Sequence, residues 1–399
     1  MSFELYRSAN LLVRCVPAED QTRWVVGFDN YDPDAGLHSE GFGEAFCARR
    51  GISYVGVIGR GNHWYQYGDL PDALAAVARA VRGAARVMTY GSSMGGYAAL
   101  RCADAVGASA VLALSPQYSS DSAVVPFEGR WRQEAQAIDW LPAFGGPLRC
   151  ACRPVVVYDS SAEDGRHVAL IAADTAIDAV PLPYVGHPAG SFLISVDLLE
   201  PLVGAVLDGR FDRAAFLANA DALRRQDPFY LVELARRQPV WRPRLGLALA
   251  RLAFAKRPQM DYFHHVLATR LDLAGQREEG LERHRAAAEM SGGLMSYALP
   301  YSMALARSGD MATAIAIARR IVLRNPGHAH LHNWLADLLR LEGKWRDAAG
   351  EARTAATLAP ANPFYRDRAA LYDPLSARAW SRGLRETWRR WRSRPIEWA

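Results

Sequence analysis

The chain has 399 residues, beyond the length at which one hydrophobic core keeps growing, so two domains are expected. Half of the residues are hydrophobic and 22% are charged, which excludes a disordered chain, and neither a run of 18 apolar residues nor a signal-peptide pattern occurs, so no membrane span is expected. The net charge of +5 divides near residue 208 into −8 before it and +13 after it, but the arginines of the basic half are spread through helical sequence, which argues against a nucleic-acid partner.

Up to about residue 205, short apolar runs alternate with helical segments, the pattern of a mostly parallel sheet covered by helices. Strands are predicted at 11–16, 23–28, 53–58, 86–90, 110–114, 154–159 and 179–183. Helices between them include 70–82, opened by Pro71 just inside its start, and 97–106. The five cysteines (Cys15, Cys47, Cys102, Cys150, Cys152) are scattered and match no zinc spacing. They read as reduced thiols of a cytoplasmic protein, and neither a metal nor another cofactor is expected.

Beyond about residue 209 the strand signal gives way to Ala, Leu and Arg at helical spacing. Gly275, Gly309 and Gly343 recur every 34 residues. Small residues follow each by five (Gly280, Ala314, Ala348), apolar ones by twelve (Ala287, Ile321, Ala355), and Pro258, Pro326 and Pro360 close units. This period resembles a tetratricopeptide array, with units at 227–260, 261–294, 295–328 and 329–362 and a protein as the expected partner. Trp241 stands where the first unit should have its glycine, which marks that unit as a degenerate or capping one. The chain ends in Trp380, Trp388, Trp391 and Trp398 among arginines; these read as a solenoid cap, with a basic aromatic surface for an acidic or glycan partner as the alternative. The expected domains are therefore 1–207, a linker or helix at 208–226, and repeats with a cap at 227–399.

Chemistry concentrates directly after the strand at 86–90, where Gly91, Ser93 and Gly95 form G-x-S-x-G between a strand and a helix. A turn this tight tolerates only glycine where neighbouring backbone crowds in, and it lifts Ser93 to the top of the sheet. A serine hydroxyl needs a general base within hydrogen-bond reach. His187 follows the last strand on a glycine-bearing loop, whereas His38, His63 and His167 precede that strand and the other six histidines lie in the repeats. The orienting carboxylate is expected between serine and histidine in the chain. Asp164 lies past the end of its strand, where the chain can turn back towards His187; Asp159, at the strand tip, is the runner-up. The oxyanion hole should use the N–H of Met94 and one from the turn at 27–32, assigned to Asn30, with Asp29 or Tyr31 if the turn shifts by one. His63 and Trp64, from the aromatic loop 60–67, and Tyr118 are candidate substrate-binding residues at the same sheet edge. The long connection 115–153, with Trp131 and Trp140, is a candidate lid.

Together these features resemble an α/β-hydrolase domain, a three-layer α/β fold, fused to an all-α tetratricopeptide solenoid. The resemblance implies a Ser93, Asp164, His187 triad and a serine esterase acting on an acyl ester through an acyl-enzyme. The turn at 28–29 departs from the family's usual His-Gly oxyanion motif by showing Phe28 and Asp29. Residues 62–66 (NHWYQ) and 90–100 (YGSSMGGYAAL) are also similar to small bacterial hydrolase-like proteins of surface-polysaccharide synthesis, which implies glycan esters. An acyltransferase with the same triad and a non-catalytic repeat scaffold are the alternatives.

Overall fold

Short runs of β-branched and aromatic residues pair into one eight-stranded sheet in a computed structural model that describes residues 2–37 and 40–372. His38 and the four C-terminal tryptophans lie outside the described residues. The strands are β1 (Phe3–Arg7), β2 (Leu11–Val16), β3 (Arg23–Phe28), β4 (Ser53–Gly59), β5 (Arg86–Ser92), β6 (Ala110–Leu114), β7 (Val155–Tyr158) and β8 (Asp178–Pro181). Their spatial order is β1-β2-β4-β3-β5-β6-β7-β8. β2 runs antiparallel to both β1 and β4, and every other pair is parallel. Seven of the strands coincide with predicted ones to within two residues at each end. β1 was not predicted: its sequence FELYR is mostly exposed or half-buried, as suits an edge strand, and carries no clear apolar run.

Among the described residues, nine helices accompany the sheet: α1 (Glu44–Arg49), α2 (Leu70–Ala80), α3 (Met94–Arg101), α4 (Arg132–Gln136), α5 (Asp164–Asp174), α6 (Gly190–Ser195), α7 (Leu199–Leu207), α8 (Arg213–Arg224) and α9 (Pro228–Arg236). One core places α2, α3 and α5 residues such as Leu74, Leu100 and Ile171 on Val26, Val57 and Val111. The other places Phe192, Leu202 and Val206 of α6 and α7 on Met88, Leu112 and Val157. Alternate residues of a central strand therefore enter opposite cores, which is why these strands read as unbroken apolar runs. The connection 115–153 packs Trp131, Trp140 and Phe144 onto the first core and holds only the short α4 and a 3-10 turn.

The chain divides into compact units at Glu233/Leu234, inside α9; the expectation was a linker or helix at 208–226 with repeats from 227. The stretch 208–226 is mostly the helix α8, capped by Asp212, whose carboxylate accepts from the amides of Ala214 and Ala215. In the second unit α10 (Pro243–Lys256) precedes the helix pairs α11 (Asp261–Leu273) and α12 (Arg277–Met290), α13 (Met295–Ser308) and α14 (Met311–Arg324), α15 (Ala329–Leu341) and α16 (Trp345–Leu358), and then α17 (Pro363–Tyr372). The first helices of successive pairs start at 261, 295 and 329, the expected 34-residue period. Gly275, Gly309 and Gly343 all take positive φ in the turns within the pairs, the conformation that favours glycine there. His264 and His332, 68 residues apart, both donate Nε2–H to the carbonyls of Pro258 and Pro326 at 2.9 Å, tying each unit to the close of the preceding one.

Candidate active site

β5 ends on a turn so tight that Ser93 holds φ 53° and ψ −116°, a strained conformation for a residue with a side chain, and α3 begins at the next residue. The helix therefore starts at Met94 and not at 97. A Cβ on Gly91 would stand 2.2 Å from the Gly95 carbonyl oxygen, and one on Gly95 would stand 2.2 Å from that of Phe28, so both positions need glycine. Ser93 is thereby held at the carboxyl edge of the sheet, its amide donating to Leu114 O at 2.8 Å.

Ser93 Oγ lies 2.9 Å from His187 Nε2, and His187 Nδ1 lies 3.0 and 2.9 Å from the two carboxylate oxygens of Asp164. Asp164 opens α5 and is 1% exposed. Burial pushes its carboxyl up, but the His187 hydrogen bond and charge and the Arg130 guanidinium outweigh this and hold it below the usual range. Arg130 donates to Asp164 Oδ1 at 2.9 Å and pairs with Glu128 at 2.6 Å. Glu128, also buried, meets His167 Nε2 at 2.9 Å, and His167 Nδ1 accepts from the Tyr118 amide at 3.1 Å, so Nε2 is the donor. The connection 115–153 is thus fastened to the carboxylate behind His187.

Asp159 is fully buried and serves the loop that carries His187. It accepts from the amides of Ser161 (2.8 Å), Tyr184 (3.1 Å) and Gly186 (2.8 Å), while Ser115 Oγ accepts from the Ala189 amide at 3.0 Å. Met94 and Asn30 both line a cavity of about 200 Å³ beside the Ser93 turn. Of the alternatives to Asn30, the Asp29 amide is committed to Tyr65 Oη at 2.6 Å. The Asp29 carboxyl, which accepts from the Phe42 amide, is pushed up to about 7 by burial, with that amide opposing the shift.

The substrate-binding candidates fare differently. His63 turns to Tyr67, with Nδ1 3.3 Å from its hydroxyl, and Tyr118 donates its hydroxyl to Asp174 at 2.7 Å. Trp64 is fully buried and donates Nε1–H to Gln117 Oε1 at 3.4 Å, and Gln117 Nε2 in turn lies 2.8 Å from Ser93 Oγ. Gln117 and Arg130 were not among the sequence candidates, whereas Trp131, named there only as part of the candidate lid, has its ring 6.3 Å from His187 and 4.7 Å from Tyr31. The position of Gln117, three residues past β6 at the carboxyl edge, was the available signal. Among the described residues, no group of three or more His, Cys, Asp and Glu is arranged to hold a metal ion. Nor is any helix among them long and apolar enough to cross a membrane.

No protein-family model matches the chain, and no curated protein matches it. Among solved structures, YrrB, described as a TPR protein with an unusual peptide-binding site, is 16% identical, covering 44% of this chain and 89% of its own at a TM-score of 0.34. TTC0263, a thermophilic TPR protein of Thermus thermophilus, is 22% identical over 44% of this chain and 96% of its own, with a TM-score of 0.33. A MamA fragment from Desulfovibrio magneticus is 11% identical over 42% of this chain and 98% of its own, at 0.33.

Proposed function

We propose that the chain is a serine esterase of the α/β-hydrolase type that acts through an acyl-enzyme on Ser93. The observation that carries this reading is the continuous line from Ser93 through His187 to Asp164, with both links within 3.0 Å and the serine on a strained turn. Ser93 Oγ would attack the acyl carbonyl carbon while His187 Nε2 takes its proton. The oxyanion would be held by the amides of Met94 and Asn30. His187 would then return the proton to the departing alcohol, and a water activated by the same imidazole would release the acid. Trp131, beside His187, and Tyr31, which packs on Trp131, are aromatic rings of the kind that suit sugars, so acyl esters of glycans are the first substrates to screen.

A second reading, a protein-binding scaffold, is favoured by the stacked helix pairs, an architecture that builds extended binding surfaces. The two readings combine if the repeats bring a partner to the esterase. Initial rates on a short-chain p-nitrophenyl ester separate them: Ser93→Ala and His187→Ala should each lose turnover, and full turnover by Ser93→Ala would overturn the esterase. An acyltransferase would pass the acyl group to an added alcohol in preference to water.

A further inference from the structure

Gln117 is 1% exposed and stands between two groups whose chemistry dictates its orientation. An indole N–H can only donate, so the amide oxygen must face Trp64 and the NH₂ must face Ser93. The same logic runs in from the other end. Arg130 can only donate to Asp164, and the carboxylate, held ionised, accepts from His187 Nδ1–H, leaving Nε2 with its lone pair towards Ser93. The Ser93 hydroxyl therefore accepts from Gln117 and can give its hydrogen to His187 alone. Two consecutive non-glycine residues at positive φ, Trp64 (46°) and Tyr65 (56°), set the indole in its buried place, a local strain of the kind that accumulates at functional sites.

We propose that Trp64 and Gln117 form a positioning pair that aims the Ser93 proton at His187 and steadies Oγ as it attacks; this rests on the reading of Ser93 as the nucleophile. In the step concerned, the O–H bond of Ser93 breaks, the proton passes to His187 Nε2 and Oγ bonds to the acyl carbon. Negative charge developing on Oγ is met by the Gln117 N–H.

The test uses the full chain and an ethyl fluorophosphonate, on which Ser93 Oγ attacks phosphorus and fluoride leaves. Labelling rates are followed by intact mass across pH 6 to 9. Gln117→Leu, close in volume but without a donor, should label about tenfold more slowly, the worth of one hydrogen bond to a developing charge. Trp64→Phe frees the amide to flip and should fall between the two. Gln117→Glu gives the signature that a packing defect would not. As a carboxylate it can only accept and competes with His187 for the serine proton, whereas protonated it donates again, so its rate relative to the native protein should rise as pH falls. A Gln117→Leu rate equal to the native one, or a Gln117→Glu ratio constant with pH, overturns the positioning pair while leaving Ser93 as nucleophile. No labelling of the native protein overturns both.

Discussion

Two aspartates follow β7, and their partners give them different work. Asp164 faces His187 and Arg130, while Asp159 spends its oxygens on backbone amides of the His187 loop. Asp164→Asn should leave the fold intact and lower ester turnover on the order of 10⁴-fold by favouring the wrong imidazole tautomer. Asp159→Asn should chiefly lower the melting temperature, because an NH₂ then confronts loop amides. The opposite pattern in the two variants would exchange their roles. Asp29 adds a pH dependence. Its folded value, pushed up to about 7 from 3.8 by burial, means that the folded protein binds this proton more tightly than the unfolded chain. Stability on this account falls as pH rises from about 4 through 7. Asp29→Asn keeps an acceptor for the Phe42 amide and removes the buried charge, so its gain in melting temperature should be larger at pH 8 than at pH 5, and an equal gain at both would contradict the assignment. At this scale the sequence was legible where one residue's neighbours along the chain dictate its geometry, as at Ser93 between Gly91 and Gly95. It was not legible where the role comes from side chains brought in from elsewhere: in the loop after β6 Tyr118 was singled out, yet Tyr118 turns to Asp174 and Gln117 to Ser93.

Among the elements, the central strands announced themselves because burial on both faces leaves an apolar run, whereas β1, open at the sheet edge, did not. The start of α3 lay three residues earlier than periodicity suggested, since the helix begins directly at the strained serine and its first turn is Met94, Gly95 and Gly96, without an apolar stripe. In the repeats, spacing alone identified the turns, because a 34-residue period returns the same backbone demand to Gly275, Gly309 and Gly343. Spacing did not reveal Ser302, which is fully buried and joins three helices: its hydroxyl donates to Ala314 O at 2.9 Å and accepts from Trp334 Nε1 at 3.0 Å. Ser302→Ala removes both bonds and should cost about 1–3 kcal/mol by denaturant unfolding, the range for losing a buried polar partner. An unchanged unfolding midpoint would mean that neighbouring groups replace it.

At the scale of the whole molecule, the chain joins a sheet unit carrying −8 to a helical unit carrying +13, and these sums are the same whether the chain is divided at residue 208 or at Glu233/Leu234. The first unit contains every residue of the proposed catalytic line, and the second is built from the repeated helix pairs. That Ser93 is an activated nucleophile, the claim on which the rest depends, is tested most directly by exposing the full-length protein to a fluorophosphonate and locating the adduct by peptide mass. The expected result is one adduct per chain, on Ser93, absent from Ser93→Ala and lost or strongly slowed in His187→Ala. A native protein that stays unlabelled, or an adduct on any other serine, would contradict it.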